Sequence, residues 1–489
     1  MAQLDPPVRP TGLVERRTID VVPESERHGR PFNQFTLWFG ANMQITAVVN
    51  GALAVAFGAD PLWGIIGLLI GNLLGGIVMA LHSAQGPRLG LPQMISSRAQ
   101  FGVLGAVLPL VMVIVMYLGF AATGTVLAGQ AVNEIVHTSA RPVGIVVFGA
   151  LTALVAVLGY RYIHALGRVT TVLGGIGFAY LAFRLVTTTD HLSSLLGAKP
   201  FDAATFLLAI SLGAGWQLTY GPYVADYSRY LPRTTSPRTT FHCTLWGSVL
   251  GSQWSGSFGA LLAALPAAAG QGFLDSQIGF LGHLGGSGAV ALLIYLVIVV
   301  GKLTVNTLNA YGGFMSILTT VSALTSERRI SARVRTLYIT SFLALSVLVA
   351  LLASHDFLSN FKNFVLTLLM VFTPWSAINL VDYYLVAKER VDIPALYDPD
   401  GRYGRWNLVA LGCYAAGIVA QIPFLAQTLY TGPMTKMLGG ADVSWIVGLV
   451  VTAALYYPLS RSRSRAPEQM LYPEGFLSDT APASATTPS

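Results

Sequence analysis

Charge is what this chain has least of: 29 Lys and Arg and 22 Asp and Glu among 489 residues, 10% charged against 53% apolar. Soluble domains carry roughly 25% charged residues, so an ordinary soluble enzyme is excluded and the apolar surface must face lipid. Cysteine is nearly absent, with only Cys243 and Cys413, both in apolar runs, which excludes a disulfide scaffold. The 8 histidines are scattered without HxxxH, HxxE or CxxC spacing, which gives zinc and haem no foothold and implies no cofactor. An apolar signal core is missing from the polar first 30 residues, so the first span is expected to be retained. A nucleic-acid partner for the +7 net charge has no support either.

Apolar runs of about 20 residues fill most of the length, the pattern of a polytopic helical membrane protein. They predict twelve spans, at 32–57, 61–84, 103–132, 142–160, 165–188, 201–227, 240–268, 287–321, 334–353, 360–386, 406–429 and 441–459. The expected organisation is a cytoplasmic segment over 1–31, a transporter domain over 32–460 and a disordered cytoplasmic tail over 461–489, rich in Ser, Pro, Ala and Thr. Twenty-three of the basic residues fall on one side of this layout, with Arg141, Lys199, Lys362 and Lys436 on the other and Arg184 and Lys302 inside spans. Lys and Arg collect in cytoplasmic loops, so both termini are expected in the cytoplasm and the chain in a plasma or inner membrane.

Two spans carry interruptions. Trp38-Phe39-Gly40-Ala41-Asn42-Met43-Gln44-Ile45-Thr46 places Gly, Asn, Gln and Thr in the middle of the first, and Gly213-Ala214-Gly215-Trp216-Gln217-Leu218-Thr219-Tyr220-Gly221-Pro222 interrupts the sixth. Backbone freed at mid-depth is tolerated where it lines a protein-enclosed cavity, and half-helix ends then face a polar solute or cation. The separation of five spans is what a five-helix unit repeated with inverted topology produces, spans one to five pairing with six to ten and eleven and twelve appended. Close packing of small residues is the plainer reading of either break. Span 8 adds Asn306 and Asn309, three residues apart and so on one face, together with Lys302, Thr304 and Thr307. Bare amides are costly in lipid, so they must face protein or a cavity; joining two helices is the plainer role.

Gly86-Pro87-Arg88-Leu89-Gly90-Leu91-Pro92-Gln93, followed by Ser97-Arg98-Ala99-Gln100-Phe101-Gly102, resembles the loop after the second helix in the nucleobase-cation symporter family 1, also called the purine-cytosine permease family. Glu15-Arg16-Arg17 with 22–27, Gly159-Tyr160-Arg161 and Asp226-Tyr227-Ser228-Arg229-Tyr230-Leu231-Pro232 are similar to other stretches of that family, and the likeness runs from about residue 15 to 460. The resemblance implies the five-plus-five inverted-repeat transporter fold with discontinuous helices 1 and 6. It also implies transport of a flat heterocycle, of the cytosine, purine, uracil, hydantoin or allantoin type, with a proton or sodium ion.

Carried over, the resemblance implies a substrate site of Gly40, Asn42, Gln44, Phe120, Gly124, Trp216, Gln217, Tyr220, Asn306 and Asn309. Aromatic faces suit a planar base and amides suit its edge. Phe120 stands where the family commonly has Trp, Gly124 where it has an amide, and either Trp216 or Tyr220 is the ring that stacks on substrate; as plain chemistry Phe120 is core filler and Trp216 an interfacial anchor. The family's cation site maps to Gly40, Met43, Leu303 and Thr304. Leu303 removes a hydroxyl ligand beside Lys302, which points to proton coupling over sodium, with Lys302 standing in for the ion. Asp226 is the candidate gate or relay, with a pairing to Arg229 as the plainer role. No nucleophile-base pair supports a membrane-embedded enzyme, no continuous polar stripe supports a channel, and an amino-acid carrier of the same fold is the alternative within transporters.

Overall fold

The computed structural model describes residues 19–158, 160–190, 192–266, 272–325, 331–428, 430–474 and 476. Glu15-Arg16-Arg17, Gly159 and the tail beyond 476 lie outside them. The chain is all-α, and helices stand at each of the twelve expected positions among the described residues. Among the described residues four stretches are long and apolar enough to cross a membrane: Pro61–Leu89, Val107–Val136, Ala289–Thr325 and Arg333–Val386, the last holding spans 9 and 10 across a 3-10 turn at Ser354–Asp356. Phe32–Asn42 and Ile45–Ala56, bent by 61° at their junction, form a broken span 1. Span 8, Ala289–Thr325, has 37 residues, roughly 55 Å at 1.5 Å per residue, so it tilts or projects beyond the bilayer.

Spans 1, 2, 6 and 7 pack together because small residues let their backbones approach. An added Cβ on Gly67, Gly71 or Gly75 of span 2 would meet Ala209, Ile210 or Ala214 of span 6, Ala203–Leu218. Span 7, Pro237–Ala264, turns Thr240, Thr244, Ser248, Ser252 and Ser255 inward; this buried polar stripe is why it reads as less apolar than a lipid-facing helix. Span 3, Val107–Val136, packs on span 8 and on spans 4 and 9, Arg141–Leu158 and Ala332–Ala353, while spans 11 and 12, Leu408–Gln421 and Ser444–Arg461, pack on each other and on span 10.

Several expectations are corrected. Span 3 runs 107–136 rather than 103–132, span 5 begins at Tyr160, and span 11 ends in the turn Ile422–Phe424, where Pro423 stops the helix. Short helices at Gln93–Ser96, Arg98–Phe101 and Gln277–Gly285 were not expected, since so few turns leave no periodicity to read. Part of the tail past Arg461 docks on the body: Leu471 pairs with Asp392, and Phe476 is buried beside Ile19, Tyr383 and Ile393 with the Arg27 guanidinium over its ring.

Candidate functional site

The first helix of span 1 stops at Asn42; Met43 leaves helical geometry, Gln44 is extended, and helix resumes at Ile45. Helical bonding fails across this gap, so side chains take over. Ser255 Oγ donates to the Asn42 carbonyl at 2.7 Å, and Gln44 Nε2 donates to that of Ala41 at 3.0 Å. The Asn42 side chain donates to the Trp38 carbonyl (2.7 Å) and Ser248 Oγ (3.1 Å) while accepting from Trp216 Nε1 (2.6 Å) and Tyr220 OH (3.1 Å). Two donors and two acceptor sites are all an Asn has, so Asn42 locks the two broken spans together rather than offering itself to a solute. Gln217 is committed in the same way. It is fully buried toward spans 2 and 7, accepting from Ser248 and donating to Ser252, both at 2.6 Å.

Span 6 breaks after Leu218, passes through a 3-10 turn at Gly221–Tyr223 and resumes as Val224–Ser228. This places Trp216 and Tyr220 one turn apart at the break, their rings edge to face with centroids 6.0 Å apart. Phe120 comes edge-on to Trp216 (5.8 Å, 89°) and to Phe364 of span 10 (5.2 Å, 77°), so these expected rings do converge. The sequence reading missed Phe364 and the belt continuing from Tyr220 through Trp38, Tyr223 and Tyr227. Tyr220, Tyr223 and Tyr227 at i, i+3 and i+7 were the available signal.

Gly124 lies one turn beyond Phe120, and an added Cβ there would collide with Asn306 Oδ1. That bare surface admits Asn306, whose Nδ2 donates to the Ala121 carbonyl and to Thr125 Oγ1, both at 2.9 Å. Its Oδ1 is buried without a hydrogen-bond partner, as is Nδ2 of Asn309 one turn on. One uncommitted acceptor and one uncommitted donor therefore sit three residues apart.

Lys302 is 3% exposed, and its ammonium reaches into the break of span 1, donating to Gln44 Oε1 at 2.9 Å and to Thr46 Oγ1. Thr304 instead turns its hydroxyl back to the Val300 carbonyl at 3.3 Å, and the Gly40 carbonyl accepts from the Met43 backbone N–H at 3.1 Å. Of the residues expected at the cation site, Lys302 meets span 1, at Gln44 and the unexpected Thr46. Met43 Sδ lies 4.0 Å from Ser255 Oγ, toward span 7.

Asp226 accepts the Gln93 backbone N–H at 2.8 Å, capping the short helix after span 2, while its own carbonyl accepts Arg229 Nε at 3.3 Å. A polar chain unseen in the sequence lies nearby. Gln85 donates to Asn379 (3.0 Å), Asn379 to Gln100 (3.1 Å) and Gln100 to Asp382 (3.1 Å), and Tyr456 donates to the other oxygen of Asp382 at 2.9 Å. His82 stacks on Trp375 (4.7 Å, 14°) and bonds Ser376 and Gln93. Polar pairs three residues apart in apolar helices, His82 with Gln85 and Asn379 with Asp382, were the readable sign.

Against known proteins, residues 21–448 match the model of a family described as permeases for cytosine/purines, uracil, thiamine and allantoin. The chain is 39% identical over 454 residues to the putative purine-cytosine permease YxlA of Bacillus subtilis, covering 92% of this chain and 96% of that one. Among solved structures it resembles Mhp1 in its inward-facing conformation, with a TM-score of 0.76 at 18% identity over 95% of this chain and 99% of that one. It also resembles Mhp1, a nucleobase-cation-symport-1 family transporter, in a closed conformation with bromovinylhydantoin bound, with a TM-score of 0.70 at 20% identity over 95% and 98% of the two chains.

Proposed function

Because the chain belongs to the family of permeases for cytosine/purines, uracil, thiamine and allantoin, we propose that it imports a flat nucleobase-like heterocycle by symport with a proton. The observation that carries the substrate half is the pair of uncommitted polar atoms, Asn306 Oδ1 and Asn309 Nδ2. A buried polar atom left unpaired costs roughly 1–3 kcal/mol, and a ligand that pairs it recovers that cost. An acceptor and a donor one helical turn apart complement the N–H and C=O groups along the edge of a cytosine, purine or hydantoin ring. Phe120, Trp216 and Tyr220 supply apolar ring surface for its faces.

The proton half rests on Lys302. Its ammonium bonds to side-chain oxygens of span 1 at the break, so a tethered charge stands where a coupling ion would otherwise bridge spans 1 and 8. Loss of its proton releases Gln44 and Thr46 and loosens span 1 from span 8, and reprotonation restores the tie. The same break is joined to span 6 through Asn42, Trp216 and Tyr220, so substrate at those rings and charge at Lys302 act on one junction. Alternating access follows if the junction relaxes on one side of the membrane at a time. The charge asymmetry supports both termini lying in the cytoplasm, and a plasma or inner membrane is the matching location.

Binding to purified protein tests the substrate half. Radiolabelled cytosine or adenine is expected to bind, to be displaced by hydantoin or allantoin but not by a zwitterionic amino acid, and to bind about tenfold or more weakly to Asn309→Ala. Displacement by amino acids alone overturns the proposal.

A further inference from the structure

Away from the central site, a cavity of about 260 Å3 opens at the arginine-rich end, where spans 10, 11 and 12 meet; its lining includes Arg390, Arg463, Arg465, Trp406, Tyr456 and Asp382. Neighbouring arginines are neutralised: Arg88 pairs with Glu389, Arg402 with Asp392 and Arg405 with Asp400. Arg390, Arg463 and Arg465 pair with no carboxylate among the described residues. Arg390 donates to the Ala387 and Glu468 carbonyls and Arg465 to that of Tyr403, which orients two guanidinium groups without cancelling their charge. Asp382, bonded by the neutral donors Gln100 and Tyr456, sets one negative charge against three guanidinium groups, so the cavity offers an excess of positive charge.

An apolar groove of about 280 Å3 continues from this cavity along spans 11 and 12. The two share Leu408, Val409 and Leu459, and the groove extends past Gly412, Ala416 and Leu455. Leu408 is 78% exposed and Trp406 54%, so the shared rim faces outward, and an exposed indole at such a rim suits the membrane–water boundary. A soluble anion would use the arginines and have no need of the groove; a neutral lipid would use the groove and leave the arginines unsatisfied.

We propose that this composite surface holds one anionic phospholipid, its phosphate among Arg390, Arg463 and Arg465 and an acyl chain in the groove past Gly412. Charge complementarity selects the headgroup, and the shared rim joins it to a chain at the right depth. The site is independent of the transported solute, and its failure leaves the transport reading untouched.

Native mass spectrometry of full-length protein extracted from phosphatidylcholine nanodiscs, with and without phosphatidylglycerol, tests it. The expected result is one phosphatidylglycerol retained in preference to phosphatidylcholine. Arg463→Gln with Arg465→Gln is expected to weaken retention roughly 30-fold. Gly412→Phe starts its side chain in open groove space, since nothing lies within 4 Å of an added Cβ there, and is expected to abolish retention. Glycerol phosphate is expected to give no thermal stabilisation at millimolar concentration, and both variants should match the parent in melting temperature without anionic lipid. Equal retention of phosphatidylcholine, retention unchanged in either variant, or binding of glycerol phosphate as tight as that of the lipid would overturn the proposal.

Discussion

Lys302 is the residue on which the coupling account turns. It was conspicuous in the sequence as a lone cation in an apolar span, but its partners were not, because Gln44 and Thr46 lie more than 250 residues away. Lys302→Met is expected to retain exchange of labelled for unlabelled substrate across the membrane while losing accumulation against a gradient, read in proteoliposomes; Lys302→Arg should keep part of it. Asn306 and Asn309 were equally legible from their shared helical face, whereas the commitment of Asn42 and Gln217 to other side chains depends on the crossing of spans 1, 6 and 7. Asp60 shows the same limit. It accepts backbone N–H groups from Leu62, Gly197 and Lys199, each at 2.9 Å, so it caps span 2 and ties down the 197–199 turn. Burial pushes its carboxyl up, but these donors outweigh burial and hold it below the usual range. A carboxylate depressed in the folded state stabilises above its unfolded value, about 3.9, and that contribution is lost as pH falls through the folded value. Asn keeps one acceptor oxygen for Leu62 and Gly197 but loses the one that takes the Lys199 N–H, so Asp60→Asn is expected to lose about 1 kcal/mol at neutral pH, with parent and variant melting curves converging in acid.

At the scale of elements, the breaks in spans 1 and 6 were readable because Gly and amide residues interrupt otherwise apolar runs, and both occur there. Helix ends were less readable: caps decide them, as where Asp442 accepts the Ser444 N–H and moves the start of span 12 to residue 444. The short helices at 93–101 depend on tertiary bonds, among them Arg98 to the Thr319 and Leu396 carbonyls, which no local pattern announces. Packing of the broken helix is testable. An added Cβ on Gly51 of span 1 would strike the backbone of Gly256 in span 7. Gly51→Leu is expected to cost about 3 kcal/mol, read as loss of monodisperse protein on extraction, while Gly174→Leu, where nothing lies within 4 Å, should extract normally.

For the whole molecule, scarcity of charge excluded a soluble enzyme, because it is a summed property that survives errors at single positions. The docking of Leu471, Tyr472 and Phe476 on the loops was not legible, since the Ser- and Pro-rich composition around them hides it. Fold and family do not choose the coupling ion, and the assignment to protons rests on one ammonium at one break. Uptake of a radiolabelled base into proteoliposomes, under an imposed pH gradient in sodium-free buffer, tests it most directly. Accumulation driven by an alkaline interior, abolished by an uncoupler and indifferent to added sodium, is the predicted result; uptake that ignores the pH gradient and requires sodium would contradict it.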